Sequence, residues 1–125
     1  MSRPFVSLIT ATYNRREFFP NIIRCVLAQT YPLHRMEWVI IDDGQDCIED
    51  LIKPYLEDKK KNKGLKFRYY YSKDKIKLGR KRNMLNEYAK GDIIVCLDDD
   101  DFYPPARVSH AVNQLEKKKN FLIAG

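Results

Sequence analysis

No stretch of this 125-residue chain approaches the roughly 20 apolar residues that a helix needs to cross a bilayer. Nor does Met1-Ser2-Arg3-Pro4 carry a signal-peptide pattern ahead of the first apolar segment, so the chain is expected to stay in the cytosol. Cysteine is scarce and odd in number. Cys25, Cys47 and Cys96 have no paired spacing, which fits reduced structural thiols better than disulfides or zinc ligands. Internal repeats and low-complexity linkers are both missing, so a single domain over residues 1–125 is expected. With 44% hydrophobic and 12% aromatic residues the chain is not a disordered one. One core of this size is nevertheless small for a complete two-substrate enzyme.

What is present in excess is positive charge, 23 basic against 17 acidic residues for a net +6. Lys59-Lys60-Lys61 and Lys117-Lys118-Lys119 read as solvated loop or helix-end charge. The cluster Lys73, Lys75, Lys77, Arg80, Lys81 and Arg82 differs, because it surrounds Gly79 at the start of a helical segment, where a phosphate is welcome. Nucleic acid would also explain the basicity, but the long acidic run described below would sit awkwardly against a phosphate backbone. No nucleic-acid partner is expected.

The apolar pattern alternates between strands and helices. Phe5 to Ala11 reads as a buried first strand, and Phe19, Ile22, Ile23, Val26 and Leu27 form one helix face. Trp38 to Ile41 makes a second strand, ending in the turn signal Asp42-Asp43-Gly44. A short helix through Ile48, Leu51, Ile52 and Tyr55, a loop over 57–63, a third strand from Leu65 to Tyr71 and a helix from Gly79 to Lys90 follow. The fourth strand is 93–97, then a helix carrying Val108, Ala111, Val112 and Leu115, and 121–124 begins a fifth strand. This order implies an α/β fold, a doubly wound, mostly parallel sheet with helices on both faces. Such sheets bind ligands beyond the carboxyl ends of their strands, where strand order reverses. The polar clusters fall at those ends: Thr10 to Arg15, Asp42-Asp43, and Asp98 to Asp101.

Four consecutive carboxylates, Asp98-Asp99-Asp100-Asp101, follow the apolar run Ile93 to Leu97. Two readings fit them. Asp100 or Asp101 caps the helix that Pro104 and Pro105 introduce, or the group holds a hard divalent cation, Mg²⁺ or Mn²⁺, which would relieve its self-repulsion.

Taken as a set, Val6 to Arg15, Val39 to Gly44, Gly79 to Asn83, Gly91-Asp92 and Leu97 to Asp101 with Pro105 resemble the nucleotide-binding half of a family 2 glycosyltransferase of the GT-A fold. The resemblance implies a Rossmann-like half that binds a nucleoside-diphosphate sugar, with a UDP-sugar favoured. It implies that Thr10, Thr12, Tyr13 and Arg15 hold the nucleotide, Tyr13 stacking on the base and Arg15 lying near phosphate. It points to Asp42 as the acid near the base, with Asp43 beside it, and to Arg80, Arg82 and Asn83 near the diphosphate and sugar. The family's Asp-x-Asp motif maps onto Asp98 and Asp100 as ligands for Mn²⁺ or Mg²⁺, with Asp99 against the sugar nucleotide; the spacing to Pro105 favours Asp100 as the main metal ligand.

The implied reaction transfers the sugar, with inversion, to an acceptor hydroxyl on a glycan, protein or lipid. Peripheral contact with a membrane is compatible with that. No residue maps onto the carboxylate base of inverting members, which is expected beyond Gly125 in a longer enzyme. A nucleotidyltransferase-like enzyme and a non-catalytic nucleotide-sugar-binding module are the alternatives, and the first would carry a glycine-rich phosphate loop that Thr10 to Arg15 does not.

Overall fold

Strands β1 (Val6–Thr12), β2 (Met36–Asp42), β3 (Lys66–Tyr71), β4 (Ile93–Cys96) and β5 (Ile123–Ala124) form one parallel sheet in the order β3-β2-β1-β4-β5. Helices α1 (Phe19–Leu27), α2 (Glu49–Glu57), α3 (Lys59–Asn62), α4 (Leu78–Tyr88) and α5 (Arg107–Lys118) connect them. The structure is a computed structural model and describes residues 4–97, 103–118 and 123–124, with the backbone alone for 116–118 and 123–124. The sheet grows outward from β1 through β2 to β3, then the chain crosses back to lay β4 on the other side of β1. The strand order therefore reverses between β1 and β4.

Both faces of the sheet are covered, which is why its strands read as nearly continuous apolar runs. On one face Val6, Leu8, Trp38, Ile40, Phe67 and Val95 pack against Phe19, Ile22 and Val26 of α1, Ile52 of α2 and Val108 and Val112 of α5. Trp38 sits between Phe19 and Phe67, with ring centroids 5.8 and 5.5 Å away. On the other face Ile9, Val39 and Ile41 pack against Leu85 of α4, with Met84 and Tyr88 half-buried beside them. The doubly wound parallel sheet expected from the sequence is the one observed.

The α4 face also buries a polar group. Glu37, 1% exposed, accepts hydrogen bonds from the Ser7 hydroxyl (2.6 Å), the Lys90 backbone N–H (2.7 Å) and the Arg68 guanidinium (3.0 Å). Burial opposes ionisation of this carboxyl, but those donors outweigh it and hold its pKa below the ordinary value. The Ser7 hydroxyl in turn accepts from Gly91 N–H at 2.7 Å. A Cβ on Gly91 would lie 2.7 Å from both Phe5 O and Ser7 N, so the return from α4 to β4 requires glycine here.

Several boundaries differ from the sequence pattern by one residue, and others differ by more. The 57–63 stretch is not wholly a loop, because Asp58 accepts from Lys60 N–H (2.9 Å) and Lys61 N–H (3.4 Å) and caps the single turn of α3. Helix α4 stops at Tyr88 rather than Lys90, since the Lys90 and Gly91 amides are committed to Glu37 and Ser7. Strand β2 starts at Met36, two residues before Trp38. Among the described residues Cys25, Cys47 and Cys96 form no disulfide. No helix among them is long and apolar enough to cross a membrane.

Candidate active site

Strands β1 and β2 end in register, Thr12 opposite Asp42, so the loops that leave them meet. Asn14 takes the left-handed conformation (φ 54°), which asparagine tolerates better than most residues, and its Oδ1 accepts from Asp46 N–H at 2.9 Å. Gly44 lies so close that a Cβ there would sit 2.5 Å from Asn14 N. Arg16 adds bonds to Asp46 (2.9 Å) and Asp50 (2.8 Å) across the same junction. The Asp50 carboxyl is held below its ordinary pKa chiefly by that guanidinium. This clamp fixes where Tyr13 and Arg15 project.

The two acids at the end of β2 have separate partners. Asp42 accepts from Gly44 N–H (2.9 Å), Ile48 N–H (3.0 Å) and the Tyr69 hydroxyl (2.6 Å), closing an Asx turn and tying the start of α2 to β3. Burial, reinforced by the bond to Asp42, pushes the Tyr69 phenol well above its ordinary pKa. Asp43 accepts from Lys81 Nζ of α4 at 2.8 Å and from Ile76 N–H at 2.6 Å. Lys75 and Lys81 place their ammonium groups 4.8 and 6.0 Å from the Tyr13 ring centroid.

A cavity of about 280 Å³ opens at the reversal between β1 and β4, under α4. Ile9, Ala11, Leu85, Cys96 and Leu97 supply most of its apolar wall, and Tyr13, Arg15, Lys81 and Arg82 bring an aromatic ring and cations to it. Apolar walls with cationic groups on one side suit a ligand that is part ring and part anion. Leu97 is directly followed in the chain by Asp98, and Asp98, Asp99 and Asp100 lie outside the described residues. Among the described residues no group of three His, Cys, Asp or Glu side chains is close enough to hold a metal.

Of the residues predicted from sequence, the cavity brings together Tyr13, Arg15 and Arg82, and it adds Asp43 indirectly through Lys81. Thr10 does not reach it, because its hydroxyl accepts from Trp38 Nε1 at 2.9 Å within the opposite core. Thr12 is also buried, and its Oγ1 has no hydrogen-bond partner among the described residues. Arg80 and Asn83 are exposed on α4 and are not part of the cavity wall. Sequence reasoning passed over Ala11, Leu78, Leu85 and Cys96 as lining residues and gave Lys81 only a general place among the cations. The missed signal for Ala11 was parity: it and Ile9 lie two and four residues before Tyr13 and share a strand face.

Comparison with known proteins bears on the family and the fold. Residues 7–125 match the family model for Glycosyl transferase family 2. An uncharacterized glycosyltransferase of Rickettsia typhi, RT0329, is 31% identical over 118 residues, covering 94% of this chain and 34% of the relative. Among solved structures, residues 1–349 of S. aureus TarS in complex with UDP-GlcNAc superpose with a TM-score of 0.77 at 20% identity, covering 90% of this chain and 31% of that one. The mannosyltransferase PcManGT from Pyrobaculum calidifontis, in complex with GDP-Man and Mn²⁺, gives a TM-score of 0.79 at 24% identity, covering 92% and 33%. The chain thus spans about a third of the length of each of these proteins.

Proposed function

This chain belongs to glycosyl transferase family 2, and on that premise we propose that the cleft between β1 and β4 binds a nucleoside-diphosphate sugar whose sugar is passed, with inversion, to an acceptor hydroxyl. The observation that carries this reading is the convergence of Tyr13, Arg15, Lys81 and Arg82 on one cavity at the strand-order reversal, directly before the aspartate run. Tyr13 stacks on the base, and Arg15 and Arg82 orient the diphosphate and offset its charge. The apolar wall from Ile9, Ala11 and Leu85 keeps water from that side of the ligand. Asp43 bears on the cleft only through Lys81, which lines it, whereas Asp42 bonds Gly44, Ile48 and Tyr69 and no residue of the cavity wall.

Asp98 and Asp100 are the residues that would hold Mn²⁺ or Mg²⁺, with Asp99 against the sugar nucleotide; four hard oxygen donors after a strand end fit such an ion. When bound it supplies charge neutralisation at the diphosphate leaving group. A GDP-Man complex with Mn²⁺ and a UDP-GlcNAc complex among the structural neighbours support this reading. The acceptor is a glycan, protein or lipid hydroxyl, and no residue of this chain is assigned as the base that deprotonates it.

Thermal unfolding against a panel of nucleoside diphosphates and their sugars, with Mn²⁺ or with EDTA, tests the proposal. A ligand at about 100 times its dissociation constant adds about 2.7 kcal/mol of stability. The melting temperature is expected to rise with UDP and Mn²⁺, to stay unchanged with EDTA, and to stay unchanged in Asp100→Asn. A panel in which no nucleoside diphosphate shifts the transition, with or without metal, overturns it.

A further inference from the structure

Lys81 is a lysine with 5% exposure, and an ammonium taken out of water needs partners. One is the Asp43 carboxylate at 2.8 Å; another is the Tyr13 ring, whose centroid is 6.0 Å away. Asp43 is itself anchored by Ile76 N–H, and its side chain has no exposed surface. What the pair shows to the cavity is therefore the Lys81 ammonium, which can donate three hydrogen bonds and accept none.

Charge and position say what that donor is for. The pair is neutral overall, whereas exposed Arg82 has no ion-pair partner among the described residues, so the charge of a diphosphate is better matched at Arg82. Asp43 follows β2 and Leu97 follows β4, with β1 between them, so Lys81 is held at the β2 end of the cleft, away from the aspartate run. That is also the Tyr13 end. The geometry points to Lys81 as the residue that selects the base of the nucleotide, favouring a carbonyl at pyrimidine position 4 or purine position 6 over an amino group there. This rests on the proposal that the base stacks at Tyr13. A carbonyl accepts from the ammonium, as in uracil or guanine. The amino group of cytosine or adenine brings a second donor against the first and leaves both short of an acceptor.

The test compares ligands that share a diphosphate and differ at the base edge. UDP against CDP, and GDP against ADP, are titrated calorimetrically in Mn²⁺ with the wild-type chain, Lys81→Met and Lys81→Arg. Wild type is expected to prefer UDP and GDP by about tenfold or more, as befits a hydrogen bond from a charged donor. Lys81→Met is expected to bring each ratio to within about twofold, and Lys81→Arg, which still donates, to retain the preference. Because each ratio is taken within one variant, changes in folding or in diphosphate affinity cancel. Lys81→Met strands a buried carboxylate, so the Lys81→Met, Asp43→Asn double variant repeats the measurement should the single variant not fold. Wild-type ratios near one, or ratios unchanged in the Met variants, overturn this inference alone. Failure of all four nucleotides and of pyrophosphate to bind overturns the proposed function and this inference with it.

Discussion

Asp42 and Asp43 are adjacent in the chain and serve opposite faces of the sheet: Asp42 bonds Ile48 at the start of α2 and Tyr69 on β3, while Asp43 bonds Lys81 of α4. One acid builds the loop, and the other faces the cleft through its lysine. Asp42→Asn keeps an acceptor but places an amide N–H₂ against the donors of Gly44, Ile48 or Tyr69. It is expected to lower stability by about 1–3 kcal/mol in urea unfolding. The folded fraction should bind UDP with Mn²⁺ as wild type does; a selective loss of nucleotide affinity without loss of stability would return Asp42 to the binding site.

Tyr13 is half-buried, and its ring is met by Lys75 and Lys81 rather than by the apolar core. Its removal therefore leaves little unfilled volume. Tyr13→Ala is expected to shift the urea midpoint only slightly, while stacking on a base is worth about 1–3 kcal/mol, a loss of about fivefold to 150-fold in affinity. Strong destabilisation with unchanged affinity would make Tyr13 a packing residue instead.

The sheet was legible because β1, β2 and β4 are rich in β-branched residues and α1 and α5 each carry an apolar stripe, so period and polarity agree there. Helix α3 was not, because Lys59-Lys60-Lys61 shows no apolar period and the turn depends on one capping side chain, Asp58. At the site, the strand-end rule located the loops but not the side-chain directions. Thr10 and Ala11 illustrate the difference. With helices on both faces, polar and apolar residues do not alternate along β1, so only the spacing to Tyr13 marks Ile9 and Ala11 as sharing its face. Lys81 was hidden among five neighbouring cations; only the position of Asp43 distinguishes it from Arg80 and Arg82.

Two glycines give opposite expectations. At Gly91 an added Cβ meets the backbone of Phe5 and Ser7 at 2.7 Å, so the β4 return must shift, and Gly91→Ala is expected to cost about 1–3 kcal/mol. At Gly79, within α4, an added Cβ meets nothing within 4 Å, and Gly79→Ala is expected to stabilise by about 0.5–1 kcal/mol. Parallel denaturation of both variants checks the pair. A stable Gly91→Ala would show that the junction of Ser7, Glu37 and Lys90 yields more easily than its close contacts indicate.

Glu37 gives the fold an acid sensitivity whose sign follows from its pKa. Burial alone would raise that pKa, yet the donors Lys90 N–H, Ser7 and Arg68 bring it below the ordinary 4.5. A carboxylate favoured in the folded state contributes stability that is fully present above the unfolded pKa and is lost as pH falls through the folded one. The contribution of Glu37 therefore stands in full above about pH 5, and it drains away below 4.5 as the folded carboxylate takes up a proton. Glu37→Gln cannot titrate, and its amide sets a donor against at least one of the three it replaces. It is expected to be less stable than wild type at pH 7 by about 1–3 kcal/mol, with a shallower fall in stability below pH 4.5. Urea midpoints measured from pH 7 downward should converge for the two proteins at low pH. Curves that stay parallel through that window would show that Glu37 does not change its proton affinity on folding, and that other carboxylates carry the acid sensitivity.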